Sequence, residues 1–139
     1  MNWHTMIGLG ILAMAYRVSK SRFAELVELA LAEVPAEFAE LLEEVPVEIE
    51  YQPTQEQLDR VGVKQNGLLL GLYQGRPRTR RSVLESGSMP DVIYIFQDSI
   101  EKVCQTEEQL IKQVRTTVLH EIGHHFGMDE DDLRQLGYG

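Results

Sequence analysis

Apolar positions recur in this chain with two periods, and the switches between them mark its elements. Phe23, Leu26, Val27, Ala30, Leu31 and Val34 fall at helical spacing, with Glu25, Glu28 and Glu33 between them. That pattern predicts an amphipathic helix with a solvated acidic face, and Ser21 is a candidate cap. Pro35 suits the first turn of a second helix, whose apolar face is Phe38, Leu41 and Leu42 and which Pro46 stops. From Val45 to Tyr51 the period drops to two. Val45, Val47, Ile49 and Tyr51 share one face and Glu48 and Glu50 the other, which predicts a half-buried strand.

Thr54 and Gln57 form a helix-start pair, so a short helical turn follows to about Arg60. Asn66-Gly67 reads as a turn. Leu68 to Gln74 is then a continuous apolar run closed by Gly75, as in a strand buried on both faces. Gly71 inside it predicts a bulge or a close approach of another backbone or side chain. Arg76 to Met89 reads as a loop, and Asp91 to Phe96 as a third strand rich in β-branched and aromatic residues. The edge of the resulting sheet is expected at 68–74 or at 91–97.

Thr106 and Gln109 have the spacing of a capping box, and Leu110, Ile111, Val114, Val118 and Ile122 form the buried stripe of a long helix. Gly127 ends that helix, and residues 131–136 can form one more short helix. At the other end, Met6 to Tyr16 is an apolar run too short to span a bilayer. No Lys or Arg precedes it, as a signal peptide's leading region requires, so residues 1–20 are expected to be an apolar helical extension. The expected location is cytoplasmic, with export through a short signal as the minority alternative.

The formal charge of −9 argues against general nucleic-acid binding. Residues 61–84 reverse the balance with Lys64, Arg76, Arg78, Arg80 and Arg81, a set that reads either as a solvated loop or as a grip on a carboxylate or phosphate. With 43% hydrophobic residues, the chain can bury one ordinary core. Its single cysteine, Cys104, excludes an internal disulfide and reads as a small apolar residue near a helix start.

Chemistry concentrates in residues 117–130, which contain His120-Glu121-x-x-His124. Helix positions i and i+4 lie on one face, so two imidazoles spaced this way can share one zinc ion. Glu121 lies about 100° further round, suited to a general base rather than a ligand. A catalytic zinc site takes a third protein ligand and keeps a position for water. If Gly127 adopts a left-handed conformation, the chain turns back and brings a residue about three positions on towards the metal. That residue is Glu130, with Asp129 one place out of register as the alternative. His125, offset by one from the pair, is expected to pack rather than ligate.

The run His120-Glu121-Ile122-Gly123-His124-His125-Phe126-Gly127-Met128-Asp129-Glu130 resembles the H-E-x-x-H-x-x-G-x-x-(H/D) signature of metzincin-type zincins. From about Ser21 to Gly139 the chain resembles the small bacterial minimal zincin family of zinc metallopeptidases, in the motif, in Gly67 to Gly75 and in the ending Leu136 to Gly139. The resemblance implies His120, His124 and Glu130 as ligands of one zinc per chain and Glu121 as the base. Position 130 is Glu where the larger metzincins carry His.

These elements predict an α+β domain, which the resemblance implies is zincin-like and spans 21–139, with a small twisted mixed sheet of three or four strands packed against the motif helix and the N-terminal helices. The expected activity is hydrolysis of a peptide or protein substrate by a zinc-activated water, with Glu121 as general base. An extended peptide lying on the sheet edge is the expected substrate pose. The alternative from a different class is a zinc-binding adaptor without turnover. Binding of nucleic acid or phosphate by Arg76 to Arg81 is a third, which the acidic total disfavours. Oligomeric state is not written in these residues.

Overall fold

The protein is described here by a computed structural model, covering residues 2–8, 15–62, 67–75 and 91–135. Four strands are found among them: β1 (Asn2–Gly8), β2 (Val47–Glu50), β3 (Gly67–Gln74) and β4 (Val92–Phe96). Six helices accompany them: α1 (Lys20–Ala32), α2 (Ala36–Glu44), α3 (Gln55–Val61), α4 (Gln97–Lys102), α5 (Glu107–His125) and α6 (Glu130–Gln135). The fold is α+β, as the patterning predicts.

The strands form one mixed sheet in the order β1-β3-β4-β2. β3 runs antiparallel to both of its neighbours, and β2 is parallel to β4. Strands 68–74 and 91–97 are therefore both internal, not edges. β1 covers one of them and β2 the other. The helix expected in the N-terminal apolar run is also corrected where that run is described, its residues 9–14 lying outside the described residues. Residues 2–8 pair with β3, and residues 15–19 are irregular, with the Tyr16 amide donating to the Glu101 and Cys104 carbonyls at 3.1 Å. An isolated apolar run has no fixed preference between helix and strand, and an antiparallel neighbour decides it here.

The sheet divides two apolar clusters. On one face, Leu68, Leu70, Tyr73, Ile93 and Ile95 meet Phe23, Leu26 and Ala30 of α1 and Leu110, Val114, Val118 and Ile122 of α5. On the other, Leu69, Leu72 and Phe96 are covered by Leu58 and Val61 of α3. This two-sided burial is why β3 reads as a continuous apolar run. Its alternation slips once, since Leu70 and Tyr73, three apart, share a face. The slip falls where the register changes between Thr5 opposite Gly71 and Met6 opposite Leu69, the bulge that Gly71 predicts.

Local caps set the helix ends. Thr54 and Gln57 make the full reciprocal capping box, and Gly62 closes α3 at φ 66°. α1 begins earlier than expected, because Ser19 rather than Ser21 accepts the Arg22 amide. α1 is tied to the first turn of α5 by two hydrogen bonds from Arg22 to the Glu107 carboxylate, at 2.8 and 2.7 Å, which hold Glu107 below the usual carboxylate range.

Unforeseen in the sequence, α4 is polar and buried. Asp98 and Glu101 are 6% and 1% exposed, and both bind Arg17 Nη1, at 2.5 and 3.1 Å. Lys102 Nζ lies 3.0 Å from Asp98, and the Val18 amide donates to Glu101 at 2.9 Å. Burial acts to raise the Asp98 pKa, and the hydrogen bonds from Lys102 and Arg17 outweigh it, leaving the group below its ordinary value. Beside it, the Cys104 thiol is pushed up to about 11, by burial first and by the Glu101 charge second. That agrees with an inert core residue. The arginines of 76–81 lie outside the described residues. No described helix is long and apolar enough to cross a membrane.

Candidate functional site

The site lies on the last two turns of α5. Thr106 starts that helix by accepting the Gln109 amide at 3.1 Å, while the Gln109 side chain accepts from the Gln105 amide at 2.7 Å. The buried stripe Leu110, Val114, Val118 and Ile122 then fixes the rotation of the helix against the sheet. Rotation decides the chemistry, because it turns Glu121 inward and leaves His120 and His124 half-buried at the margin.

Two glycines let other elements approach α5 closely. A Cβ on Gly71 of β3 would lie 2.5 Å from Thr117 Cγ2 and 3.9 Å from Glu121 Cγ, so β3 can lie at this height only because residue 71 has none. Thr117 and Glu121 are both fully buried against it, and Thr117 accepts a hydrogen bond from Gln113 at 3.1 Å. At Gly123, inside the motif, a Cβ would lie 2.6 Å from Leu133 Cδ2. Leu133, on α6, is fully buried there.

The return of the chain that brings α6 back follows the expected turn. Gly127 has φ 84°, its amide donates to the His124 carbonyl at 3.1 Å, and the Met128 amide donates to the Gly123 carbonyl at 2.9 Å. These two bonds are the Schellman ending of a helix, which satisfies its last carbonyls while reversing direction.

His120 and His124 bring their Nε2 atoms to 3.2 Å of each other, with ring planes at 86°. Two nitrogen ligands about 2.0–2.1 Å from a tetrahedral zinc are separated by about 3.3 Å. The chemistry and separation of this pair thus suit zinc. Among the described residues, no set of three His, Cys, Asp or Glu side chains is gathered closely enough to hold a metal ion. Asp129 is otherwise engaged: its carboxylate accepts from the Asp132 amide at 2.8 Å, and its own amide donates to the Asp132 carboxylate at 3.1 Å. That is a reciprocal cap at the start of α6. Glu130 is the first residue of α6, and its side chain lies outside the described residues.

His125 points elsewhere, as its offset predicts. It stacks on Tyr73 with ring centroids 4.1 Å apart and planes 14° from parallel. Tyr73 in turn donates to Asp91 at 2.8 Å. His125 therefore pins the end of α5 to β3. The pinning role of Tyr73 had no sequence signal beyond an aromatic in a buried strand.

A central mixed sheet, a long helix carrying H-E-x-x-H across it and a glycine-terminated return are the parts of a zincin. The family model for zincin-like metallopeptidases matches residues 42–139, and the chain belongs to that family. No curated protein matches it. Membership brings zinc binding and peptide hydrolysis as the family's general chemistry.

Proposed function

We propose that this protein is a zinc-dependent metallopeptidase holding one zinc ion per chain through His120, His124 and Glu130. The observation that carries the proposal is the 3.2 Å approach of the two Nε2 atoms beside Glu121, on a helix that ends by turning Glu130 back. Zinc held there supplies a Lewis acid that acidifies a water and polarises a carbonyl. Glu121 accepts the proton of the attacking water and delivers it to the leaving nitrogen of the peptide. Gly71 of β3 lies against the stem of that carboxylate. His125, stacked on Tyr73, keeps the last turn in place, so the two ligand imidazoles need little reorganisation.

Glu130 is preferred to Asp129 as third ligand because the Asp129 carboxylate is committed to the cap of α6. The catalytic domain is taken as residues 21–139, with β1 added to its sheet.

The test is hydrolysis of a quenched-fluorescent peptide library by the zinc-loaded protein and by Glu121→Gln. Loss of a positioned general base lowers the rate by about 10²- to 10⁴-fold. Equal rates in the two proteins would contradict the proposal. A second reading, a zinc-binding adaptor without turnover, is favoured by one observation: Glu121 is 0% exposed, closed off from any substrate in this arrangement.

A further inference from the structure

Zinc-bound or not, a base that no solvent reaches cannot act on a peptide, so something beside Glu121 has to move. The Glu121 stem lies against Gly71 of β3, and β1 is the strand that pairs with β3 there. Thr5 pairs with Gly71, the residue whose missing side chain admits Thr117, with the Glu121 stem alongside. β1 also lies against α5 along the sheet's margin. With β1 in place, β3 has strands on both sides; without it, β3 is an edge.

That edge has the properties of a surface for an extended peptide. β3 pairs antiparallel with β1 from Asn2 opposite Gln74 to Gly8 opposite Gly67, a seven-residue strand. An extended chain adding there needs only backbone hydrogen bonds, so the position accepts many sequences. The ladder is broken by the bulge between Thr5 and Met6, beside Gly71. A bulge leaves a residue unpaired and weakens the ladder locally, so the pairing is interrupted next to Gly71.

We propose that residues 2–8 of this chain are the resident occupant of the β3 edge, the edge on which the zincin resemblance leads an extended peptide substrate to be expected. β1 then holds the enzyme closed, and a substrate enters by strand exchange. The proposal rests on the peptidase reading only for what replaces β1. The exchange itself is a property of the sheet.

The test uses the full chain with Glu121→Gln, so that no peptide is turned over, and a fluorescein-labelled heptapeptide of the sequence of residues 2–8 as probe. In an antiparallel strand alternate amides face a given neighbour, so of His4→Pro and Thr5→Pro one removes a ladder donor. Hydrogen exchange at Leu69 to Gln74 reports whether β1 has left, and exchange along α5 reports that the fold is intact. The variant with β1 released should bind the probe about tenfold tighter or more than the parent, because apparent affinity scales with the fraction of molecules in the open state. The probe should also restore protection at Leu69 to Gln74.

Equal affinity in parent and released variant, with α5 protected, would overturn the proposal. So would unprotected amides at Leu69 to Gln74 in the parent, or undiminished protection in both proline variants. Should both prolines unfold α5, the unaltered chain supplies the readout through its single tryptophan, Trp3. Excess unlabelled heptapeptide with Trp3→Phe should then shift Trp3 emission saturably, and no shift at millimolar peptide would overturn the proposal. Hydrolysis and zinc content, measured separately on the chain with Glu121, fail or stand independently of strand exchange.

Discussion

Gly71 and Thr117 meet where a side chain on the first would overlap the second, since a Cβ at 71 would lie 2.5 Å from Thr117 Cγ2. This contact sets the height of the motif helix over the sheet. Threonine is stiff at χ1, so it cannot swing away cheaply. Gly71→Ala should therefore destabilise the protein by about 1–3 kcal/mol, the usual cost of overpacking. Thr117→Ser removes Cγ2 and keeps the hydroxyl that Gln113 binds. Combined with Gly71→Ala it should recover about 1 kcal/mol or more, the scale of coupling between touching residues. Urea denaturation of the two single variants and the double variant measures this, and strict additivity would contradict the contact.

A substitution at Gly123 should separate stability from the proposed metal binding. Alanine there improves helix propensity by about 1 kcal/mol, and it crowds Leu133 Cδ2, which would lie 2.6 Å from the new carbon. The two effects oppose, so Gly123→Ala should change the denaturation midpoint little. It should still weaken zinc binding at least several-fold, because it pushes away the helix that starts at Glu130. Zinc affinity by competition with a chromophoric chelator checks this; unchanged affinity would detach α6 from the site.

Most of the fold was legible because the patterning and the packing agree. The stripe from Leu110 to Ile122 appears as the buried face of α5, and the unbroken run of β3 reflects its two covered faces. The Thr54 and Thr106 caps were visible as local spacings. Three features were not visible, each for a long-range reason. The polar α4 is buried because Arg17, 81 residues away, pairs with Asp98, although the i,i+4 pairs Gln97–Glu101 and Asp98–Lys102 were a usable sign of helix. β1 is a strand through pairing with β3, and the sheet's edges could not be assigned without it. At the site, the spacing brought out the histidine pair, the Gly127 turn and the separate path of His125. The close approach of α5 to β3 at Thr117 depends on Gly71, 46 positions earlier in the chain.

Asp98 gives the protein an acid-sensitive joint. Its folded pKa lies below the ordinary value, so its contribution to stability is present above the unfolded pKa and is lost as pH falls through the folded one. With an unfolded carboxyl near pH ~3.9, the wild type should be more stable than Asp98→Asn at neutral pH. The difference should shrink below about pH 4. Denaturation of both proteins across that range checks it, and a constant difference would place the stabilisation elsewhere.

Cys104 should be inert. The residue is 2% exposed and its thiol is pushed up to about 11, so thiolate is scarce at neutral pH and poorly accessible. Labelling by iodoacetamide at pH 8 should be negligible in the folded protein and rapid in urea. Fast labelling of the native chain would show that the joint between α4 and residues 15–18 opens.

The central claim is the zinc site, and the most direct measurement is metal content per chain by elemental analysis for the wild type, His124→Ala and Glu130→Ala. About one tightly held zinc in the wild type, nearly absent in His124→Ala and much reduced in Glu130→Ala, is the expected result. Zinc retained in Glu130→Ala would move the third ligand away from the start of α6. A wild-type protein that takes up no zinc on reconstitution would contradict the account.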